Sequence, residues 1–86
     1  MALFLHVISV RCVRQPVLEL KFDDGSRKQV DLAAHLWGQA FEPLHDPEYF
    51  SRVRVNPATG TIEWPNGADF APEFLHEIGV DLQQLA

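Results

Sequence analysis

One cysteine, one methionine and one tyrosine are all that this 86-residue chain contains of those types. The lone Cys12 excludes an internal disulfide and any zinc site built on several thiolates. It falls in an apolar strand pattern, where a buried thiol behaves as a small hydrophobe rather than a nucleophile. No apolar run approaches the roughly 20 residues that a membrane-spanning helix needs. Residues 2–10 are apolar, but they have no basic leading segment, contain His6 and run straight into Arg11. They read as a strand rather than a signal peptide, so a reducing, cytoplasmic location is the expectation and no membrane partner is implied.

Basic residues are missing from the whole last third. All seven (Arg11, Arg14, Lys21, Arg27, Lys28, Arg52, Arg54) lie before residue 55, balanced there by Glu19, Asp23, Asp24, Asp31, Glu42, Asp46 and Glu48. Beyond them come Glu63, Asp69, Glu73, Glu77 and Asp81 without a single Lys or Arg, so the net charge of −5 resides in that part. A nucleic-acid binder needs a basic footprint, because phosphate neutralisation dominates its affinity. The composition offers none, and only a clustering of Arg11, Arg14, Arg52 and Arg54 on one sheet face would supply one.

Recognisable catalytic chemistry is absent as well. There is no G-x-S-x-G, no glycine loop that cradles phosphate, and no Cys/His pair with an orienting acid. None of His6, His35, His45 and His76 stands in an H-x-x-x-H pattern. His76 with Glu73 and Asp69 has helical spacing for three metal ligands, but Asp69 and Glu73 are expected to serve the start of a helix instead. No catalytic, cofactor-binding or metal-binding residue is therefore assigned. A chain this short also has little core from which to carve a substrate pocket, and domains of its size often gain stability by forming homodimers.

What is present is a pattern of strands and turns. Residues 3–13 read as a long strand whose first half is apolar enough to be covered on both faces. Gln15-Pro16 breaks it, and residues 17–22 form a second strand with Leu18, Leu20 and Phe22 on one face. Asp23-Asp24-Gly25 is a hairpin turn. A three-residue loop sets Leu18 opposite Val30, whereas a two-residue loop would set Phe22 against Arg27, so the former is expected. Asp31 is placed to cap a short helix over residues 32–37 that Gly38 ends. Asp46-Pro47-Glu48 opens another helical turn, with cap, first-position proline and acidic first turn. Residues 52–55 and 61–64 form a second hairpin. Its best register pairs Val55 with Ile62, Arg54 with Glu63 and Val53 with Trp64 around a loop over 57–60.

The richest segment is Trp64-Pro65-Asn66-Gly67-Ala68-Asp69-Phe70-Ala71-Pro72-Glu73-Phe74-Leu75. Pro65-Asn66-Gly67 suits a tight turn, Asp69 is placed to cap the last helix or its lead-in turn, and Pro72 is tolerated only in a first helical turn. Phe70, Phe74 and Ile78 repeat at one-turn spacing with Leu75 beside them, and Gly79 suits a stop. Glu73, Glu77 and Asp81 fall on the opposite stripe, a solvated face or an acidic docking surface for a basic partner. Trp64 reads as core. Trp37, just before Gly38, reads as a partly exposed anchor of the kind enriched at interfaces. The candidate partner-binding residues are thus Trp37, Glu73, Glu77 and Asp81. The expected class is α+β, with about five strands in antiparallel hairpins and two or three short helices in the order β-β-β-α-β-β-α.

The signature W-P-N-G-x-D-x-x-P-E-x-L, carried by Trp64, Pro65, Asn66, Gly67, Asp69, Pro72, Glu73 and Leu75, closely resembles the small bacterial domain-of-unknown-function family 2442. Asp24-Gly25, Val30-Asp31-Leu32 and residues 46–50 fit the same pattern, so the resemblance covers nearly the whole chain. His76 stands where that family often has tyrosine. The resemblance implies an α+β domain over 1–86, without the C-terminal helix-turn-helix that some relatives carry. It also implies a frequent genetic pairing with a second small protein, sometimes proposed to be toxin and antitoxin. The leading expectation is a protein-interaction module, antitoxin-like or regulatory, acting on another small and basic protein. The second is a nucleic-acid-associated regulator working through the Arg-bearing strands or an oligomer, and the third an enzyme with an unrecognised site.

Overall fold

The computed structural model describes residues 4–85, with side chains through 83. Strand β1 (Val7–Arg14) pairs with β2 (Val17–Phe22), which pairs with β3 (Arg27–Asp31). A 3-10 segment, Gln39–His45, leads into the single helical turn α1 (Pro47–Phe50). Strands β4 (Arg54–Asn56) and β5 (Thr61–Glu63) form the second hairpin. Helix α2 (Pro72–Ile78) comes next, then the two-residue strand β6 (Val80–Asp81) and a last 3-10 turn over Leu82–Leu85. The first sheet has the order β1-β2-β3-β6, the second is β4-β5, and all pairings are antiparallel. The architecture is α+β, with β6 added to the strands expected.

Both hairpins adopt the registers that turn chemistry and side-chain pairing favour. Leu18 lies opposite Val30, and Gly25 takes φ +89° at the end of the three-residue loop. Arg54 faces Glu63 and Val55 faces Ile62, with Gly60 at φ +74° closing the four-residue loop. The ladder ends at Arg54 and Glu63, so Val53 and Trp64 are not a strand pair. The two hairpins meet where Val7 N–H donates to the Gly60 carbonyl at 2.8 Å. Between them lies one core of Leu18, Leu20, Phe22, Val30, Leu32, Leu36, Leu44, Phe50, Ile62, Trp64 and Leu75. Each such side chain contributes about 1.5–3 kcal/mol of apolar transfer free energy.

Three expectations are corrected. The first strand begins at Val7 rather than residue 3, and its start is not covered on both faces. Phe4, ahead of β1, is 79% exposed, and Ile8, where the register of β1 shifts, is 52% exposed. Residue 3, part of that expected strand, lies outside the described residues. The helix expected over 32–37 is a turn instead. Asp31 Oδ1 does accept a backbone N–H, from Ala33 at 2.9 Å, and Leu32 N–H donates to the Pro16 carbonyl. A six-residue helix carries a full nucleation cost, and burying both Leu32 and Leu36 against the sheet does not require it. Finally, α2 ends at Ile78, so Asp81 belongs to β6 and not to a helical stripe. Gly79 allows that exit: a Cβ there would stand 2.9 Å from Lys28 Cβ and 3.0 Å from the Leu75 carbonyl.

Candidate functional site

The turn that replaces the expected helix exposes Trp37. Leu36 before it is buried, and its carbonyl accepts a hydrogen bond from His45 Nε2 at 2.7 Å. Gly38 after it has φ +94° and ψ 159°, a conformation essentially reserved for glycine. Held on one side and reversed on the other, the chain leaves the indole of Trp37 76% exposed. The next segment, in 3-10 conformation, presents Phe41 on the same side.

The Trp64–Phe70 stretch supplies the facing wall. Trp64 N–H donates to the Ala68 carbonyl and Gly67 N–H to the Trp64 carbonyl, with Gly67 at φ +88°. Asn66 works in two directions. Its Oδ1 accepts from Ala68 N–H at 3.1 Å, and its Nδ2 donates to the Ala40 carbonyl at 2.9 Å. The tight turn is thereby tied to the 3-10 segment that carries Phe41. The returning chain bridges Asp69 to Glu63, and buried Thr61 Oγ1 donates to the Phe70 carbonyl at 2.6 Å. Phe70 and Asp69 are thus placed by backbone contacts on either side of them.

Together these elements build an open apolar groove of about 500 Å³ lined by His35, Trp37, Phe41, Asp69, Phe70, Ala71 and Phe74. Phe41 stacks on Phe70 with centroids 4.9 Å apart and planes 25° apart, and Phe70 stacks on Phe74 at 5.8 Å and 15°. His35 meets Phe74 edge-on at 5.0 Å, and buried Trp64 supports Phe70 edge-on at 6.1 Å. Such offset and edge contacts add about 0.5–1.5 kcal/mol per pair to area burial. The three phenylalanine rings are thus placed by packing on one another and on Trp64.

Of the candidate partner-binding residues, the groove lining takes in Trp37 and leaves out Glu73, Glu77 and Asp81; of the signature residues it takes in Asp69. The expectation that Asp69 caps the last helix or its lead-in is corrected. Asp69 accepts no hydrogen bond from any described residue: the helix begins at Pro72 with Ala71 in the cap position, two residues too far along. Glu73 and Glu77 are exposed on α2, but Asp81 lies on β6, 3.6 Å from Lys28 Nζ. The expected three-residue acidic stripe is thus broken. His76 does not approach Asp69 and Glu73 as a ligand set. It packs edge-on against Phe22, and its Nε2 lies 3.1 Å from Asp24 Oδ2. Among the described residues no group of three His, Cys, Asp or Glu side chains converges on a metal position. Cys12 is half-buried and burial pushes its thiol pKa up, against the opposing pull of Arg11.

Most arginines of the Arg-bearing strands have carboxylate neighbours; Arg14 has none among the described residues. Arg11 reaches Glu19 at 2.9 Å, with Arg27 3.6 Å from the same carboxylate; Arg54 reaches Glu63 at 2.8 Å and Arg52 lies 3.7 Å from Glu48. Sequence reasoning singles out Trp37 but gives Phe70 and Phe74 to the core, and it misses Phe41 and His35. All four are only partly buried. The available signal is the aromatic surplus around Gly38 and in the 64–75 segment.

Fold and groove together define a small α+β domain that carries an exposed tryptophan over a stacked phenylalanine rail. Its family is set by the sequence: the family model described as "Protein of unknown function (DUF2442)" matches residues 7–81, and the chain belongs to that family. No curated protein and no solved structure matches it. Among the described residues no helix is long and apolar enough to cross a membrane.

Proposed function

We propose that this domain is a protein-interaction module that captures a short segment of a partner protein in the groove beside Trp37. One observation carries the reading: an indole left 76% exposed beside a floor of stacked phenylalanines. Large aromatics that keep a polar handle and cost little side-chain entropy are the usual energetic anchors of interfaces. The antitoxin-like or regulatory role implied by the family resemblance is compatible with this groove, since neutralising a small protein requires only one well-held segment. The nucleic-acid reading has less support, because of Arg11, Arg14, Arg52 and Arg54, on which it rests, all but Arg14 already have carboxylate neighbours.

The test is parallel affinity capture from the native cell with the wild-type chain and Trp37→Ala, followed by titration of the purified captured protein. Loss of about 30-fold in affinity or more is expected for an anchor of this kind, since about 2 kcal/mol is its threshold. Equal affinity of the two chains for the captured protein would show that the groove is not the capture surface.

A further inference from the structure

We infer that the captured segment presents an arginine, whose guanidinium lies on the Trp37 indole and reaches the Asp69 carboxylate. This rests on the capture reading and names the chemistry of the occupant. The first argument is the state of Asp69. Among the described residues it is the one aspartate with neither a side-chain hydrogen bond nor a cation. Asp23 and Asp24 hold His6 and His76, Asp31 and Asp46 accept backbone N–H groups, and Asp81 lies beside Lys28. Asp69 alone is left open, and it is also the one carboxylate in the groove lining.

The second argument is charge complementarity over a wider area. The groove is drawn from residues 35–41 and 69–74, and neither 29–51 nor 55–86 contains a Lys or Arg. Exposed Glu42 and Glu73 flank Phe41 and Phe74 in sequence. An anionic segment entering here would find no Lys or Arg in the lining, while a cationic one meets the Asp69 carboxylate and the negative faces of aromatic rings. The third argument selects arginine over lysine. The wall is flat and aromatic, and a planar guanidinium stacks on such a face while its N–H groups still reach a carboxylate at the edge. Apolar neighbours of that arginine would fill the phenylalanine floor.

The experiment uses the full chain, ¹⁵N-labelled, titrated at pH 7.5 with three blocked tripeptides: Leu-Arg-Leu, Leu-citrulline-Leu and Leu-Glu-Leu. Citrulline keeps the shape of arginine and removes its charge. The readout is the indole N–H resonance of Trp37, with that of buried Trp64 as internal reference. Leu-Arg-Leu is expected to bind about 5-fold more tightly than the citrulline peptide, the range of one exposed cation–π contact with a charge-assisted hydrogen bond. Asp69→Asn should erase most of that difference without shifting the Trp64 resonance, and raising the salt should shrink it. Equal binding of the arginine and citrulline peptides overturns the arginine while leaving the groove as a docking site. Tighter binding of the glutamate peptide overturns it too. Failure of the arginine peptide to move the Trp37 resonance overturns this inference alone, since capture of the native partner is judged by its own titration. A Trp37 resonance that moves with protein concentration and no peptide would assign the groove to a second copy of the chain, and would likewise overturn it.

Discussion

The two tryptophans of this domain occupy opposite environments only a few elements apart. Trp64 is 1% exposed, its Nε1–H donates to the Phe50 carbonyl at 2.9 Å, and its ring packs on Phe50 and Phe70. Trp37 is 76% exposed, and among the described residues its indole donates no hydrogen bond. The difference originates in the backbone around each. Trp64 directly follows β5 and opens a turn closed by three internal hydrogen bonds and tied by a fourth to Ala40, so its position is over-determined. Trp37 sits between a buried leucine and a glycine with positive φ, so its backbone is held while its side chain has nothing to pack into. A fixed backbone beneath an unsatisfied aromatic is what a docking anchor requires, because little ordering is left to oppose binding.

The largest effect should come from the buried partner. Trp64→Ala removes a core aromatic and takes from the Phe50 carbonyl one of its two donors, the other being Val53 N–H, at a cost of about 3–5 kcal/mol. That is a large fraction of the stability of so small a domain, so the urea midpoint should collapse. An unchanged midpoint would break the comparison at once. The groove should go with the fold, because Phe70 rests on Trp64.

A smaller change should sharpen the comparison by striking the link between the two regions. Asn66→Ala deletes the hydrogen bonds to Ala40 and Ala68, for about 1–2 kcal/mol, since each is a partly exposed neutral bond. Its effect on partner binding should exceed its effect on folding, because the Ala40 bond sets where Phe41 stands relative to Phe70. If binding and stability fall in step, the link is merely structural.

How far this arrangement is legible in sequence depends on the range of the interactions. The two hairpin registers are readable, because Asp23-Asp24-Gly25 and residues 57–60 fix loop lengths and the facing side chains agree. Burial of Trp64 is readable from strand alternation. The 32–37 turn is not, since Asp31, the leucine spacing and Gly38 satisfy a helix pattern equally well. The pull of Leu32 and Leu36 toward a sheet formed by residues 17–31 decides the outcome. Asp69 is misread because its cap role needs a helix start two residues earlier than Pro72 allows. The groove is illegible as a unit: Phe41 comes from a 3-10 segment, Phe70 from an extended return and Phe74 from a helix. Only tertiary packing brings them together.

The acid limb of stability separates the sheet side from the groove side more gently. Asp23 is held below the ordinary carboxylate range first by the His6 backbone N–H and then by the His6 ring. Asp24 is held there first by the Ser26 hydroxyl, then by the Ser26 N–H and by His76. Groups with depressed folded pKa values bind fewer protons when folded than when unfolded near the ordinary aspartate range. Their contribution is therefore complete above that range and is lost as pH falls through the depressed values. Asp23→Asn with Asp24→Asn should flatten stability against pH on the acid side, read from urea midpoints between about pH 5 and 2. An unchanged slope in that double variant would show that the two carboxylates do not carry the acid limb. Asp69→Asn, whose carboxylate makes no hydrogen bond among the described residues, should leave the urea midpoint at neutral pH within about 0.5 kcal/mol of wild type.

The smallest effect on folding is expected at the other tryptophan, and there the comparison is most exposed to failure. Trp37→Ala removes a side chain that is three-quarters in water and holds nothing in place, so the urea midpoint should stay within about 0.5 kcal/mol of wild type. Fluorescence supplies an independent check. The native emission combines an exposed and a buried indole, so the variant should keep only the blue-shifted component of Trp64. The same substitution should weaken partner binding by about 30-fold or more, and that dissociation of stability from affinity distinguishes an anchor from a core residue. A loss of stability above about 1 kcal/mol would mean that Trp37 packs into the rail in the free protein. The groove would then be a satisfied edge of the core, and the two tryptophans would differ in degree of burial rather than in purpose.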